Sequence, residues 1–118
     1  MKQGGIILVV APEGGLRRSY EFALQAGGFA VEVHASVSSA ASRHGGDAIC
    51  ALVDEGALKG PDMRRDRLEL LGIPVVLLVS GFGDMPSRLD GPGEILTKPL
   101  RGNELFDSIE RLRKREAT

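Results

Sequence analysis

The sequence predicts an α/β fold in which a parallel sheet carries helices on both faces. Continuous apolar runs at Ile6–Val10, residues 48–53 and Val75–Val79 are typical of parallel strands that are buried on both faces. Helical patterns lie between these runs, and that alternation indicates right-handed β-α-β connections. The 118 residues fit one domain, residues 1–118, with enough chain to form a core without disulfides.

Helices are predicted where apolar residues recur at helical spacing. The pattern covers residues 15–26, 36–43, 62–71 and 103–114. The apolar face of the first helix is assigned to Leu16, Tyr20, Ala23 and Leu24. Gly27-Gly28 follows this helix, as expected for a glycine C-cap.

Two further strands are predicted at residues 29–34, where apolar residues alternate, and at the short run 94–96. Residues 80–93 are rich in glycine and proline, so the fourth helix is expected to be short or absent. The usual order for a doubly wound, flavodoxin-like sheet of five strands is 2-1-3-4-5. Its switch point lies between strands one and three, which brings the ends of those strands together.

Composition excludes several classes of function. The formal net charge of -1 gives no general attraction to nucleic acid or to an anionic membrane. No apolar run is long enough to span a bilayer and no signal-peptide pattern opens the chain, so we expect a cytoplasmic protein with no membrane partner. Cys50 is alone and reads as a core residue, and His34 and His44 are isolated from any metal-ligand pattern.

Polar residues follow the predicted strands. Asp54 follows the third strand, Ser80 the fourth and Lys98 the fifth. Ligands of open α/β sheets lie at these carboxyl ends, and an aspartate, a hydroxyl and a lysine together suggest a phosphoacceptor site. After the first strand, where a pair of acids would bind a cation, the chain has Ala11 and Pro12.

Over essentially its whole length, the chain resembles the receiver domain of bacterial two-component response regulators. The matching segments are Ile7-Leu8-Val9-Val10, Gly28-Phe29-Ala30-Val31, Ala51-Leu52-Val53-Asp54, Ile73-Pro74-Val75-Val76 with Ser80, and Leu96-Thr97-Lys98-Pro99. The stretch Val79-Ser80-Gly81-Phe82-Gly83 is also similar to an alphaproteobacterial subgroup. That subgroup has a Thr-Gly-Tyr-Gly motif after strand four and a reduced fourth helix.

The resemblance implies a role for each polar residue. Asp54 corresponds to the phosphoacceptor, Ser80 to the switch hydroxyl, and Lys98 to the lysine that pairs with the aspartate or the phosphoryl oxygens. The family's Lys-Pro bond is cis, which implies a cis bond between Lys98 and Pro99.

The departures from the family pattern predict a degenerate acidic pocket. Ala11 and Pro12 replace the acid pair that holds Mg²⁺, which leaves Asp54 with Glu13 as weak metal candidates. We therefore expect weak or absent Mg²⁺ binding and no other cofactor. Lys98 is then expected to form a permanent ion pair with Asp54. Ile95 replaces the switch aromatic and cannot report hydroxyl movement through a hydrogen bond.

Three functions remain open at this point. The first is a non-enzymatic receiver module that acts by protein-protein interaction, with a sensor histidine kinase, another signalling protein or a second copy as partner. The first helix, with Arg17 and Arg18, is its candidate docking face. The second is a working phosphoacceptor that takes a phosphoryl group from a histidine kinase on Asp54. The third, a flavodoxin-like cofactor carrier, is disfavoured because the chain has no Trp and one Tyr.

Overall fold

The sheet of the computed structural model has the predicted topology. Residues 5–43, 48–58, 68, 71–80, 93–98, 100 and 103–117 are described. Within them, five parallel strands lie in the order β2-β1-β3-β4-β5. The strands are β1 (Ile6–Val10), β2 (Ala30–His34), β3 (Ala48–Asp54), β4 (Val75–Val79) and β5 (Gly93–Thr97). The predicted order 2-1-3-4-5 is confirmed.

The described helices are α1 (Gly14–Ala26), α2 (Val37–Arg43) and α3 (Glu104–Ala117). A 3-10 turn at Glu55–Leu58 follows β3 directly. Most of the predicted helix at 62–71 and nearly all of the segment 80–93 lie outside the described residues. The short or absent fourth helix therefore stays a prediction. In the part of the chain that is described, no helix has the length and apolar character needed to cross a membrane.

Alternate residues of the central strands fill two separate cores, which explains their continuous apolar runs. One core packs against α2 and contains Leu8, Val10, Val37, Ala40, Ala51, Val53, Leu77 and Val79. The other packs against α1 and α3 and contains Ile7, Val9, Leu24, Cys50, Leu52, Leu78, Leu105 and Ile109. Both faces of the sheet are therefore covered.

The buried face of α1 differs from the predicted one. Leu24 is fully buried and Tyr20 is half-buried, as expected, but Leu16 is 37% exposed and Ala23 is exposed. Leu16 precedes Leu24 by eight residues, so at 3.6 residues per turn it is rotated by roughly 80° from the buried position. The prediction for Leu16 and Ala23 was wrong, because an apolar stripe that is too wide was assigned to a short helix.

α3 is held against the sheet by an aromatic contact and a polar contact. Phe106 stacks on Phe29 with ring centroids 6.1 Å apart. Ser108 is fully buried and donates to Glu94 Oε1 of β5 at 2.7 Å. The Arg111 guanidinium also donates to Glu94, through Nε at 2.8 Å and Nη2 at 2.7 Å. These contacts tie the edge strand β5 to the last helix.

Candidate functional site

The parallel strands end at one edge of the sheet and bring Asp54, Ser80 and Lys98 together. Asp54 is the last residue of β3 and is 4% exposed. Ser80 and Lys98 follow β4 and β5 directly and are half-buried. The Lys98 backbone N–H donates to Val79 O at 2.7 Å, which continues the pairing of β4 with β5 and fixes where the lysine side chain begins.

The Asp54 carboxylate is engaged on both oxygens. Its Oδ1 accepts from Tyr20 Oη at 2.7 Å and from Lys98 Nζ at 3.0 Å, and its Oδ2 accepts from the Gly56 backbone N–H at 2.9 Å. Burial alone would raise the pKa of Asp54, but these donors and the Lys98 charge outweigh it and lower the pKa. Asp54 is therefore held as a carboxylate, in the ion pair with Lys98 that the sequence suggested.

Tyr20 is a site residue that the sequence reasoning missed. It was assigned to the apolar face of α1, and its ring does lie on the buried side. Its hydroxyl reaches past the core to Asp54. Burial, the Asp54 hydrogen bond and the charges of Asp54 and Glu55 raise the pKa of Tyr20, which keeps the phenol a donor. Its position one turn before Leu24 was the available signal, because that places the side chain beneath the sheet edge.

Glu55 is the second residue that was missed, because it lies in the connection after β3 and was given no role. It begins the 3-10 turn and is 8% exposed. Its Oε2 lies 3.5 Å from Lys98 Nζ, and its Oε1 lies 3.5 Å from Ser80 Oγ. Burial lowers the pKa of Lys98, but the contacts with Asp54 and Glu55 outweigh it and raise the pKa. Lys98 is thus shared between two adjacent carboxylates.

The end of β1 is occupied by groups that do not bind cations. Ala11 is fully buried and its N–H donates to His34 O at 3.1 Å. The Arg17 guanidinium donates to Ala11 O at 2.8 Å and to Pro12 O at 3.3 Å. A methyl group built on Gly56 would lie 3.2 Å from Asp54 Oδ2 and 3.6 Å from Pro12 Cδ, so the carboxylate and the proline ring both lie beside Gly56.

Glu13 serves as the N-cap of α1. Its Oε1 accepts from the Leu16 N–H at 2.6 Å, which satisfies one of the unpaired donors at the helix start. This bond holds the carboxylate at the start of α1. Among the residues that the structure describes, no group of three or more His, Cys, Asp or Glu is arranged to hold a metal ion. With Arg17 on the nearby carbonyls, the donor set fits Mg²⁺ poorly.

Of the remaining predicted positions, Ile95 and His34 lie within the described residues and Pro99 does not. Ile95 is half-buried on β5 and packs against the core on the α2 side, so it acts as an apolar wall. Pro99 lies outside the described residues, as does the predicted cis bond from Lys98 to Pro99. His34 is buried, and its ring nitrogens lie 2.8 Å from Glu32 Oε2 and 3.0 Å from Ser39 Oγ.

The chain is similar in sequence to one curated bacterial regulator over nearly its whole length. The transcriptional regulator protein FixT of Rhizobium meliloti (strain 1021) is 37% identical over 115 residues, which cover 95% of this chain and 96% of that protein. A scan against protein-family models gives no match.

Solved structures with the same fold include response-regulator receivers. A response regulator receiver domain protein from Clostridium thermocellum has a TM-score of 0.77 at 21% identity, covering 96% of this chain and 97% of that chain. The response regulator StyR has a TM-score of 0.76 at 25% identity, covering 98% of this chain and 62% of that one. With the match to FixT and the strand-end cluster of Asp54, Ser80 and Lys98, these likenesses show that the chain belongs to the response-regulator receiver family of two-component signalling proteins.

Proposed function

We propose that this receiver signals by binding another protein and not by cycling a phosphoryl group on Asp54. The observation that carries the proposal is the Arg17 guanidinium on the carbonyls of Ala11 and Pro12. It places a fixed positive charge at the end of β1, where the family has its acid pair. A divalent cation approaching Asp54 from that side would meet like charge, and the carboxylate nearest in sequence, that of Glu13, caps α1.

The contacts of Asp54 point in the same direction. Phosphoryl transfer to a carboxylate depends mostly on positioning and charge stabilisation, and a metal ion supplies much of the latter. Here both oxygens of Asp54 accept hydrogen bonds, and the lowered pKa makes the carboxylate a weaker nucleophile. The same contacts suit a structural role, because they join β3, α1 and the end of β5.

The alternative is a working phosphoacceptor, and one observation favours it. Lys98 and Ser80 are placed at the same edge as Asp54, within reach of a group added there. For this function, a cation would have to bind at Asp54 beside the Arg17 charge, with Glu13 as its substitute ligand. Moving Glu13 from the N-cap toward Asp54 would weaken the start of the helix.

The deciding experiment measures Mg²⁺ and phosphoryl-analogue binding by amide NMR. The chain is titrated with Mg²⁺ and then with Mg²⁺ plus beryllofluoride, and intact mass is recorded after incubation with acetyl phosphate. We expect no shifts localised around Asp54 and no gain of a phosphoryl mass. A phosphorylated wild-type chain, with loss of the modification in Asp54→Asn, would overturn the proposal.

A variant that restores the acid pair serves as the positive control. Ala11→Asp combined with Pro12→Asp supplies carboxylates at the end of β1, and Arg17→Ala removes the competing charge. The triple variant is expected to gain Mg²⁺-dependent beryllofluoride shifts that the wild type lacks. If neither responds, the contacts of Asp54 are the dominant obstacle and the wild type is still not a phosphoacceptor.

The partner we propose is a sensor histidine kinase or another two-component signalling protein, and α1 is its docking face. α1 exposes Phe22 at 75%, with the exposed Arg18 one turn before it on the same face, and Leu16 is 37% exposed. The net charge of -1 gives nucleic acid no electrostatic advantage as a competing partner.

The test of this docking face is an NMR titration of the labelled chain with the phosphotransfer domain of a sensor kinase. The domain should shift the amide signals of α1, and Phe22→Ser should weaken the binding. Asp54→Asn should leave it unchanged.

A further inference from the structure

Asp54, Ser80 and Lys98 surround a polar site at the strand ends, which we call the strand-end pocket. It also contains a buried carboxylate that phosphoryl chemistry does not require. Glu55 is 8% exposed although it lies in a polar turn directly after Asp54. Its Oε2 lies 3.5 Å from Lys98 Nζ, and its Oε1 lies 3.5 Å from Ser80 Oγ. A buried acid is normally paired, and Glu55 finds its partners in an ammonium and a hydroxyl from two different strand ends.

We propose that Glu55 is the resident anion of this pocket, occupying the place between Lys98 and Ser80 where a free tetrahedral oxyanion would otherwise bind. The ligand class is inorganic phosphate or sulfate, and the site is latent in the wild type. The inference deepens the proposed function and rests on it. In a receiver that is not phosphorylated on Asp54, the Glu55 carboxylate takes the place of the phosphoryl oxygens beside Lys98 and Ser80.

The donors around Glu55 form an anion site in their own right. An ammonium and a hydroxyl that converge on one point are the groups that bind phosphate oxygens in proteins. Lys98 reaches this point from the end of β5 and Ser80 from the end of β4. The paired strands fix where both side chains begin, so we expect the two donors to stay close together when Glu55 is removed.

The charges in the pocket explain why an external anion is excluded. Asp54 and Glu55 carry two negative charges against the single positive charge of Lys98. An incoming phosphate would be repelled by both carboxylates and would have to displace Glu55 from its donors. Removal of the Glu55 charge leaves Lys98 balanced by Asp54 alone and leaves room beside Ser80.

The test is an amide NMR titration with inorganic phosphate, and then with sulfate, at constant ionic strength without Mg²⁺ or a phosphodonor. Glu55→Ala is expected to show saturable shifts at Ser80 and Lys98, with an affinity roughly tenfold or more above that of the wild type. Glu55→Gln keeps the side-chain shape but loses the charge, so it should also bind more tightly than the wild type.

Two controls separate the site from general electrostatics. Glu110→Ala removes a carboxylate from the exposed side of α3, where it pairs with Arg113, and changes the net charge equally. It should bind phosphate no better than the wild type. Adding Lys98→Met to Glu55→Ala should abolish the gain. Equal phosphate affinity in the wild type, Glu55→Gln and Glu55→Ala would overturn the proposal, and the Gln variant keeps it testable if Glu55→Ala does not fold.

The result can be told apart from failure of the proposed function. Covalent modification of wild-type Asp54 by acetyl phosphate would refute the proposed function but would leave the phosphate titration of the Glu55 variants unaffected. Failure of those variants to bind phosphate would refute the role of Glu55. The proposed function would still hold if acetyl phosphate leaves Asp54 unmodified.

Discussion

At the scale of single residues, Lys98 sets the charge balance of the strand-end pocket. It lies 3.0 Å from Asp54 and 3.5 Å from Glu55, and its side chain is 28% exposed. Removing one partner of a buried ion pair usually destabilises a protein by several kcal/mol, because the other charge stays buried. Here two carboxylates would be left without their cation, although the partial exposure of Lys98 moderates the effect.

Lys98→Met should lower the free energy of unfolding by about 1–3 kcal/mol at neutral pH. The lowered pKa of Asp54 adds stability above its ordinary value of 3.8, and this is lost as the pH falls through the folded value. The raised pKa of Lys98 adds stability below its ordinary value of 10.5, and this is lost as the pH rises through the folded value.

The measurement is urea unfolding of wild type and Lys98→Met over a series of pH values. The difference between them should be constant near neutral pH and should shrink in acid, where Asp54 takes up a proton, and in strong base. A difference that persists unchanged in acid would mean that Lys98 contributes through packing of its alkyl chain.

Tyr20 is the single tyrosine of the chain, so ultraviolet absorbance reports its ionisation alone. Burial and Asp54 raise its pKa, so phenolate should form only well above its ordinary value of 10.0. In Asp54→Asn, the hydrogen bond to a carboxylate and the nearby charge are lost, and the titration should move part of the way back. An unchanged titration in Asp54→Asn would show that Asp54 does not contribute to the raised pKa.

The sequence could predict Asp54, Ser80 and Lys98 as a cluster because each follows a parallel strand, and topology alone brings such positions together. It could not predict Tyr20 or Glu55 in the same way. Their contribution depends on side-chain length and on the exact rotation of a helix and a turn. A tyrosine on an apolar stripe and a glutamate in a turn have ordinary structural roles far more often.

At the scale of elements, the contact between α1 and α3 depends on a glycine. Gly27 ends α1 with its backbone N–H donating to Ala23 O and Leu24 O. A methyl group there would lie 2.3 Å from Cε1 of the Phe106 ring, which is too close for any real contact. The absence of a side chain therefore lets the ring lie over the helix end while it stacks on Phe29.

Gly27→Ala should destabilise the fold by about 1–3 kcal/mol, because Phe106 must move from its place. The backbone-entropy gain of Gly→Ala, about 0.4–1 kcal/mol, offsets only part of this. The check is a double-mutant cycle by urea unfolding. In a Phe106→Ala background the Gly27→Ala change should cost little, and an equal cost in both backgrounds would refute the role of the ring.

The edge strand β5 is joined to α3 by Glu94. Arg111→Ala removes the paired hydrogen bonds to Glu94, whereas Arg113→Ala removes an exposed pair with Glu110 on the same helix. Amide hydrogen exchange in β5 should become severalfold faster in Arg111→Ala and stay unchanged in Arg113→Ala. Equal exchange in the two variants would mean that Ser108 and the apolar contacts hold the strand by themselves.

The elements were predictable to different degrees. β1, β4 and the end of α1 were placed correctly, because continuous apolar runs and a terminal glycine are strong local signals. β5 was predicted one residue too short at each end. Gly93 and Thr97 carry no apolar side chain and join the strand only through pairing with β4. The face of α1 was misjudged because Leu16 and Ala23 are apolar but lie beyond the contact with the sheet.

At the scale of the whole molecule, Cys50 lies in the middle of β3 with a neighbouring strand on each side. It is 1% exposed, and burial raises the pKa of its thiol to about 12. The thiolate is the form that attacks labelling reagents, so the folded chain offers almost none of the reactive form. Modification of Cys50 should therefore require opening of the central sheet.

The rate of Cys50 labelling should accordingly follow global unfolding. We expect the labelling rate to rise with urea in parallel with the unfolded fraction measured by circular dichroism, and Gly27→Ala to accelerate it in proportion to its loss of stability. Fast labelling of the native chain at low urea would point to local opening of β3 and would contradict this expectation.

The strand order was the most secure prediction at this scale, because handedness and burial leave few alternatives for alternating strands and helices. Receiver-family membership followed from short segments in a fixed order, with Asp54 and Lys98 among them. The state of the pocket did not follow. Whether Lys98 meets one carboxylate or two depends on how the chain turns after β3, which strand patterns do not encode.

The sharing of Lys98 between two carboxylates bears on how such a chain would carry information. If the proposed function is correct, Lys98 already neutralises part of the negative charge in the pocket, and no phosphorylation of Asp54 selects a second conformation. Binding to a partner then follows mass action, with half of the partner occupied when the free chain equals the dissociation constant. The message is the amount of protein present, so its gain and its duration would be set by synthesis and degradation.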